Sequence, residues 1–119
     1  MIEHAVMISK RVLMPRMGGL EIEVILDKNL EWHGLCGMIS TKEMTIELKK
    51  TDDYKEMVKT IIHEMVHVKQ YARKELKQVT SDFYIWKNEL VKAEIGYENY
   101  PWEHEAYKLE ELIYNEMYG

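Results

Sequence analysis

Cysteine is almost missing from this sequence: Cys36 is the single one in 119 residues. An internal disulfide is therefore excluded, and so is a zinc ribbon, which needs several cysteines. The expected role of Cys36 is a small packing residue rather than a ligand or reactive thiol. Long apolar runs are lacking too. No stretch approaches the roughly 18 residues of a membrane-crossing helix, and the N-terminus has no apolar signal-peptide core. A cytoplasmic location with no membrane partner is the expectation. Positive charge is not in excess: the formal net charge is −5, which argues against broad, non-specific nucleic-acid binding while leaving room for a local basic patch. What remains, 46% hydrophobic and 31% charged residues, describes an ordinary globule with one domain over residues 1–119.

Against that background one stretch stands out. His63-Glu64-Met65-Val66-His67 has the HExxH pattern of zinc hydrolases. Two imidazoles four residues apart lie on one helix face about one turn apart, so both can reach one ion at roughly 2.0–2.1 Å. Glu64 lies to one side, where a carboxylate can take a proton from an activated water without ligating the metal. In a chain of this composition the motif has a chance expectation on the order of a few in a hundred, so its context matters. Tyr54, Met57, Val58, Ile61, Met65, Val68 and Ala72 form one apolar stripe at about 100° per residue, and the two histidines fall nearly opposite it. Histidines buried merely as packing belong in the stripe. The competing reading is a solvated polar face shared with Glu56, Thr60 and Gln70. Gln70, one turn beyond His67, either orients a ligand or binds substrate, or is simply a solvated Gln, the commoner case.

Residues 2–14 place Ile2, Ala5, Val6, Ser9 and Leu13 at helical spacing, a helix stopped before Pro15, although Val6-Met7-Ile8 would also open a strand. Met14 to Gly19 reads as an exposed turn or loop. Three short strands follow: Ile22, Val24 and Leu26 in alternation, a less regular one from Trp32 to Ser40, and Met44, Ile46 and Leu48 in alternation. The last is either an ordinary half-buried strand or an edge that takes an extended peptide beside the metal. Asp53 followed by Glu56 resembles a capping box for a central helix reaching about Lys74. From Asp82 to Ile95 a hairpin is favoured over a helix, since Asn88 suits a tight turn. Trp86 is a packing residue on either reading. After a break at Gly96–Pro101, a last helix carries Trp102, Ala106, Leu109, Ile113 and Met117 on its apolar face.

A catalytic zinc generally has three protein ligands and one open position. The candidates on the last helix are Glu103, His104 and Glu105. His104 points about 180° from the apolar face and should meet solvent, while the two glutamates flank that face at similar angles. Helical geometry alone leaves Glu103 and Glu105 both open.

His63 to Gln70 followed by Pro101-Trp102-Glu103-His104-Glu105-Ala106-Tyr107 resembles the small SprT-like and minimal gluzincin metallopeptidases of bacteria and phages. The order of a helix, three strands and an HExxH helix is also similar. The resemblance implies an α+β, zincin-like fold: N-terminal helix, three-stranded sheet, HExxH helix, hairpin and a C-terminal helix carrying the third ligand. In gluzincins that ligand is the Glu of an E-x-x-A pattern, which gives Glu103 here, with Ala106 at the close-packing position. Some gluzincins have Asp after that Ala, where this chain has Tyr107. No second partner for the histidines is therefore visible.

The implied activity is peptide hydrolysis: His63, His67 and Glu103 hold Zn²⁺, and Glu64 is the general base. Tyr97, Tyr100 and Tyr107 are candidate donors to the oxyanion. The partner is a protein or peptide substrate, with no nucleic acid expected. The alternative is a non-catalytic zincin-like binding module whose metal is structural or absent. A DNA-associated SprT-type protease fits poorly with the acid balance and the missing zinc ribbon.

Overall fold

Asp53 opens the central helix as its sequence predicts, its carboxylate accepting the Glu56 backbone N–H at 3.1 Å. The computed structural model describes residues 2–16, 19–31, 33–38 and 43–118. Trp32, Ile39 and Ser40 of the expected second strand, and Met17 and Gly18 of the expected loop, lie outside the described residues. In chain order the elements are α1 (Ile2–Leu13), β1 (Glu21–Asp27), β2 (Gly34–Met38), β3 (Glu43–Lys49), α2 (Tyr54–Ala72), β4 (Leu76–Gln78), β5 (Phe83–Trp86), β6 (Glu89–Lys92) and α3 (Pro101–Tyr118). Two short 3₁₀ turns, Ala93–Ile95 and Tyr97–Asn99, lead into α3. The described residues thus form an α+β fold of three α-helices and two three-stranded sheets. No helix among them is long and apolar enough to cross a membrane.

The first sheet has the order β1-β3-β2, with β1 parallel and β2 antiparallel to β3. This corrects the edge reading of Met44–Lys49. β3 is the central strand, both its sides are paired, and no peptide can add to it; the edge beside α2 is β2 instead. The alternation in β3 holds: Met44, Ile46 and Leu48 are all buried. Each such side chain contributes about 1.5–3 kcal/mol relative to exposure. They join Ala5 and Leu13 of α1 and Met57, Val58, Ile61, Ile62, Met65, Val66 and Val68 of α2 in one core.

Helix α2 is buried on every side from Ile61 to Gln70. The apolar stripe faces the core as expected, except that Tyr54 at its start is exposed. The opposite face is covered rather than solvated, because α3 and β2 pack against it. At its C-terminus the chain turns through Lys74 at φ 59, and the Glu75 N–H reaches the Gln70 carbonyl at 2.8 Å, a Schellman-type close. That turn starts the second sheet, β4-β5-β6, all antiparallel. Its hairpin uses Lys87 and Asn88, both at positive φ (49° and 71°), as a two-residue turn of the type that suits strand twist. The preferred hairpin is present, and β4 is a strand the sequence did not suggest. α3 buries Trp102, Ala106 and Ile113 on the predicted face.

Candidate metal centre

Pairing of α2 with α3 brings the three expected ligands together. His63 Nε2 lies 3.1 Å from Glu103 Oε1, and His67 Nε2 lies 3.2 Å from Glu103 Oε2. One ligand atom from each residue falls within 4.8 Å of the others, and all three side chains are buried. Ala106, fully buried one turn after Glu103, is the small residue where α3 meets the core. Glu105 and His104 point elsewhere. Glu105 bonds Lys69, Gln70 and Lys87, and His104 is exposed with Nε2 donating to the Glu98 carbonyl at 2.6 Å. Of the two glutamates that helical geometry left open, Glu103 is the one beside the histidines.

Each histidine has a second partner that the sequence reading did not find. His63 Nδ1 lies 3.0 Å from Glu110 Oε1, and His67 Nδ1 lies 2.8 Å from Gln70 Oε1. Gln70 is not the solvated side chain expected of it: it is fully buried and its amide nitrogen donates to the Trp102 carbonyl at 2.9 Å. Glu110 comes seven residues after Glu103, so both fall on one face of α3; that spacing is the signal that could have found it. With acceptors on the Nδ1 side, both imidazoles carry Nδ1–H and turn Nε2 toward the Glu103 carboxylate.

The charge balance follows from that arrangement. Between each Nε2 and a carboxylate oxygen there must stand a proton or a cation. Without a cation the group holds protons tightly. Burial works against charge on His63, but Glu103 and Glu110 outweigh it and raise its pKa to about 9. His67 is raised in the same way, burial being overcome by Glu103. Burial pushes Glu103 upward, yet His63, His67 and the Tyr97 hydroxyl bring it down to about 2. Bare ion pairs satisfy these groups, and so does a shared metal ion. Donors around a tetrahedral ion at about 2.0–2.1 Å stand about 3.3 Å apart; the two nitrogen–oxygen contacts, one to each Glu103 oxygen, are near that spacing, and one donor atom from each residue lies within 4.8 Å of the others. The buried cluster can hold a metal ion.

Glu64, also buried, faces the cavities on both sides of the cluster. Its carboxyl is raised above the usual range, chiefly by burial, against the pull of His67 and His63. The larger cavity, about 870 Å³, runs between α2, the start of β2 and α3, and includes Thr60, His63, Tyr97, Tyr107 and Glu110 in its wall. The smaller, about 210 Å³, is lined by Cys36, Tyr71, Leu76 and Trp102 among others. Burial, then the nearby Glu64, pushes the Cys36 thiol up to about 12. It stays a thiol packed at the core's edge and is not part of the metal cluster.

Of the three tyrosines considered, two reach the site. The Tyr97 hydroxyl donates to Glu103 Oε1 at 2.9 Å, and the Tyr107 ring centroid is 4.6 Å from that of His63. Tyr100 is turned away, donating to the Ala93 carbonyl and stacked 4.4 Å from Trp102. Trp86 packs near Trp102, as a packing residue should. Strand β2 presses against Glu64: a Cβ on Gly34 would stand 2.8 Å from Thr60 Cγ2 and 3.1 Å from Glu64 Cγ. Comparison with protein-family models, with curated proteins and with solved structures gave no match.

Proposed function

We propose that this protein is a zinc-dependent peptidase of the small gluzincin type, with His63, His67 and Glu103 as metal ligands and Glu64 as general base. The observation that carries the reading is the convergence of one ring nitrogen from each histidine and one carboxylate oxygen within 4.8 Å, with Glu64 opening onto the same cleft. Two imidazoles and one carboxylate are the donor set that favours zinc. Zn²⁺ bound there supplies Lewis-acid polarisation of the scissile carbonyl and lowers the pKa of water toward about 7.

The chain's own residues do the rest. Glu64 accepts a proton from the attacking water and delivers it to the leaving amine, a double task suited to a carboxyl raised by burial. Tyr97 keeps its phenolic proton, because burial and hydrogen bonds to Tyr107 and Glu103 raise its pKa. Its one O–H donates to Glu103 Oε1, so to serve a developing oxyanion it must first leave that carboxylate. An extended substrate adds to the outer edge of β2, whose Gly34 and Leu35 line the cleft, and takes main-chain hydrogen bonds there. A non-catalytic binding module has no use for a buried carboxyl aimed into that cleft.

The test is the Glu64→Gln variant against a library of fluorogenic peptides. The parent should cleave at least one member and lose that activity to a zinc chelator. E64Q should keep its zinc and lose about 10²–10⁴-fold in rate. Unimpaired cleavage by E64Q would remove Glu64 from the mechanism, and zinc-loaded parent that cleaves nothing would leave the binding-module reading.

A further inference from the structure

Glu105, set aside as a ligand, sits at the meeting point of three cationic or amide donors. Its Oε1 accepts from Lys69 Nζ at 2.8 Å and from Gln70 Nε2 at 3.2 Å, and its Oε2 lies 3.4 Å from Lys87 Nζ. Lys69, itself buried in α2, is fixed from the other side by Glu75 at 2.9 Å. The Gln70 amide therefore has acceptors, Glu105 and the Trp102 carbonyl, on its nitrogen side. Its carbonyl oxygen has one place left to face, the His67 Nδ1 at 2.8 Å.

An amide in a fully buried site can flip by exchanging its nitrogen and oxygen, and the two orientations have opposite effects on a neighbouring imidazole. With oxygen toward His67, Nδ1 must carry the hydrogen and Nε2 offers its lone pair. With nitrogen toward His67, Nδ1 must be the acceptor, and Nε2 is protonated and blocked. A metal-binding histidine depends on such a partner for its tautomer.

We infer that Glu105 is a positioning residue for the metal centre: by holding the Gln70 amide in one orientation it keeps a hydrogen on His67 Nδ1, so that Nε2 is the nitrogen that gives up its proton to a cation. Lys69 and Lys87 hold that carboxylate in place, so the α2 helix and the hairpin turn both bear on His67 through it. The inference rests on His63, His67 and Glu103 being a zinc site, and is independent of peptide cleavage.

The experiment is zinc affinity by competition with a chromogenic chelator. Glu105→Ala and Gln70→Ala should each weaken zinc about 10–100-fold. The double variant should lose no more than Q70A alone, because Glu105 acts through Gln70. Glu105→Gln, whose carbonyl oxygen can accept from both Lys69 and Gln70, should restore parental affinity. Parental affinity in E105A, or losses that multiply in the double variant, overturns the inference. Should E105A not fold, imidazole ¹⁵N NMR of the zinc-loaded parent decides: a proton on His67 Nδ1 supports the inference, and metal on Nδ1 overturns it. Because zinc is the only ligand used, a parent that binds zinc as described but cleaves no peptide sinks the peptidase reading alone.

Discussion

The Glu110 carboxylate lies 3.0 Å from His63 Nδ1, on the same face of α3 as Glu103. One helix thus supplies a candidate ligand and, two turns later, the group that orients a ligand on the facing helix. Glu110→Ala should weaken zinc about 10–100-fold with the fold retained, as removal of a histidine's outer partner typically does. Glu110→Gln, which keeps an acceptor, should lose less. Chelator competition measures both, and equal affinity in parent and E110A would show that the contact does not tune His63.

Gly34 gives a steric prediction. A methyl group there meets Thr60 Cγ2 at 2.8 Å and Glu64 Cγ at 3.1 Å, so β2 or the Thr60 and Glu64 side chains must move. Gly34→Ala should cost about 1–3 kcal/mol of stability, in the range of overpacked cores, and, on the proposed peptidase reading, should lower kcat by displacing Glu64. Thr60→Ser removes the nearer methyl group, so the G34A/T60S pair should recover much of both. Urea unfolding and steady-state kinetics on the same samples read the outcome. A G34A variant as stable and active as the parent would mean that the strand yields without cost.

What was legible in the sequence was what is local. Asp53 and Glu56 mark the start of α2, Asn88 marks the hairpin turn, and the apolar residues from Trp102 to Met117 mark the buried face of α3, because each signal lies within a few residues. The HExxH histidines were legible for the same reason. What was missed depends on partners distant in the chain. β4 is three residues long and exists through pairing with β5. β3 is central because β1 joins it in parallel across the gap left by β2. Gln70 reads as a surface residue until α3 covers it and the Trp102 carbonyl takes its amide. Glu103 and Glu105 differ little on a helical wheel; the difference is that Lys69 and Lys87 meet one and the two histidines meet the other.

Acid–base behaviour separates the metal-free from the metal-bound protein. His63 is raised to about 9 from 6.5, and His67 is raised too. The stability that His63 contributes is whole below the unfolded value and is lost as pH climbs through about 9, and that of His67 is lost in the same direction. Glu103, lowered to about 2 from 4.5, contributes above its unfolded value and loses this as pH falls through about 2. The urea midpoint of zinc-free protein should therefore fall between about pH 7 and 9.5, and His63→Gln should flatten that fall. Added zinc should act oppositely, its stabilisation growing over the same interval as competing protons leave. A zinc-free midpoint that rises across this range would contradict the protonated cluster.

The most direct test of the account is the zinc content of tag-free protein purified without chelator, measured per chain beside the His67→Ala variant. Removing one of three ligands should abolish retention, so the expected result is about one zinc per chain in the parent and little in H67A. Little zinc in either, with none retained after zinc is added back at neutral pH, would contradict the metal centre and leave His63, His67 and Glu103 as a buried ion-pair cluster.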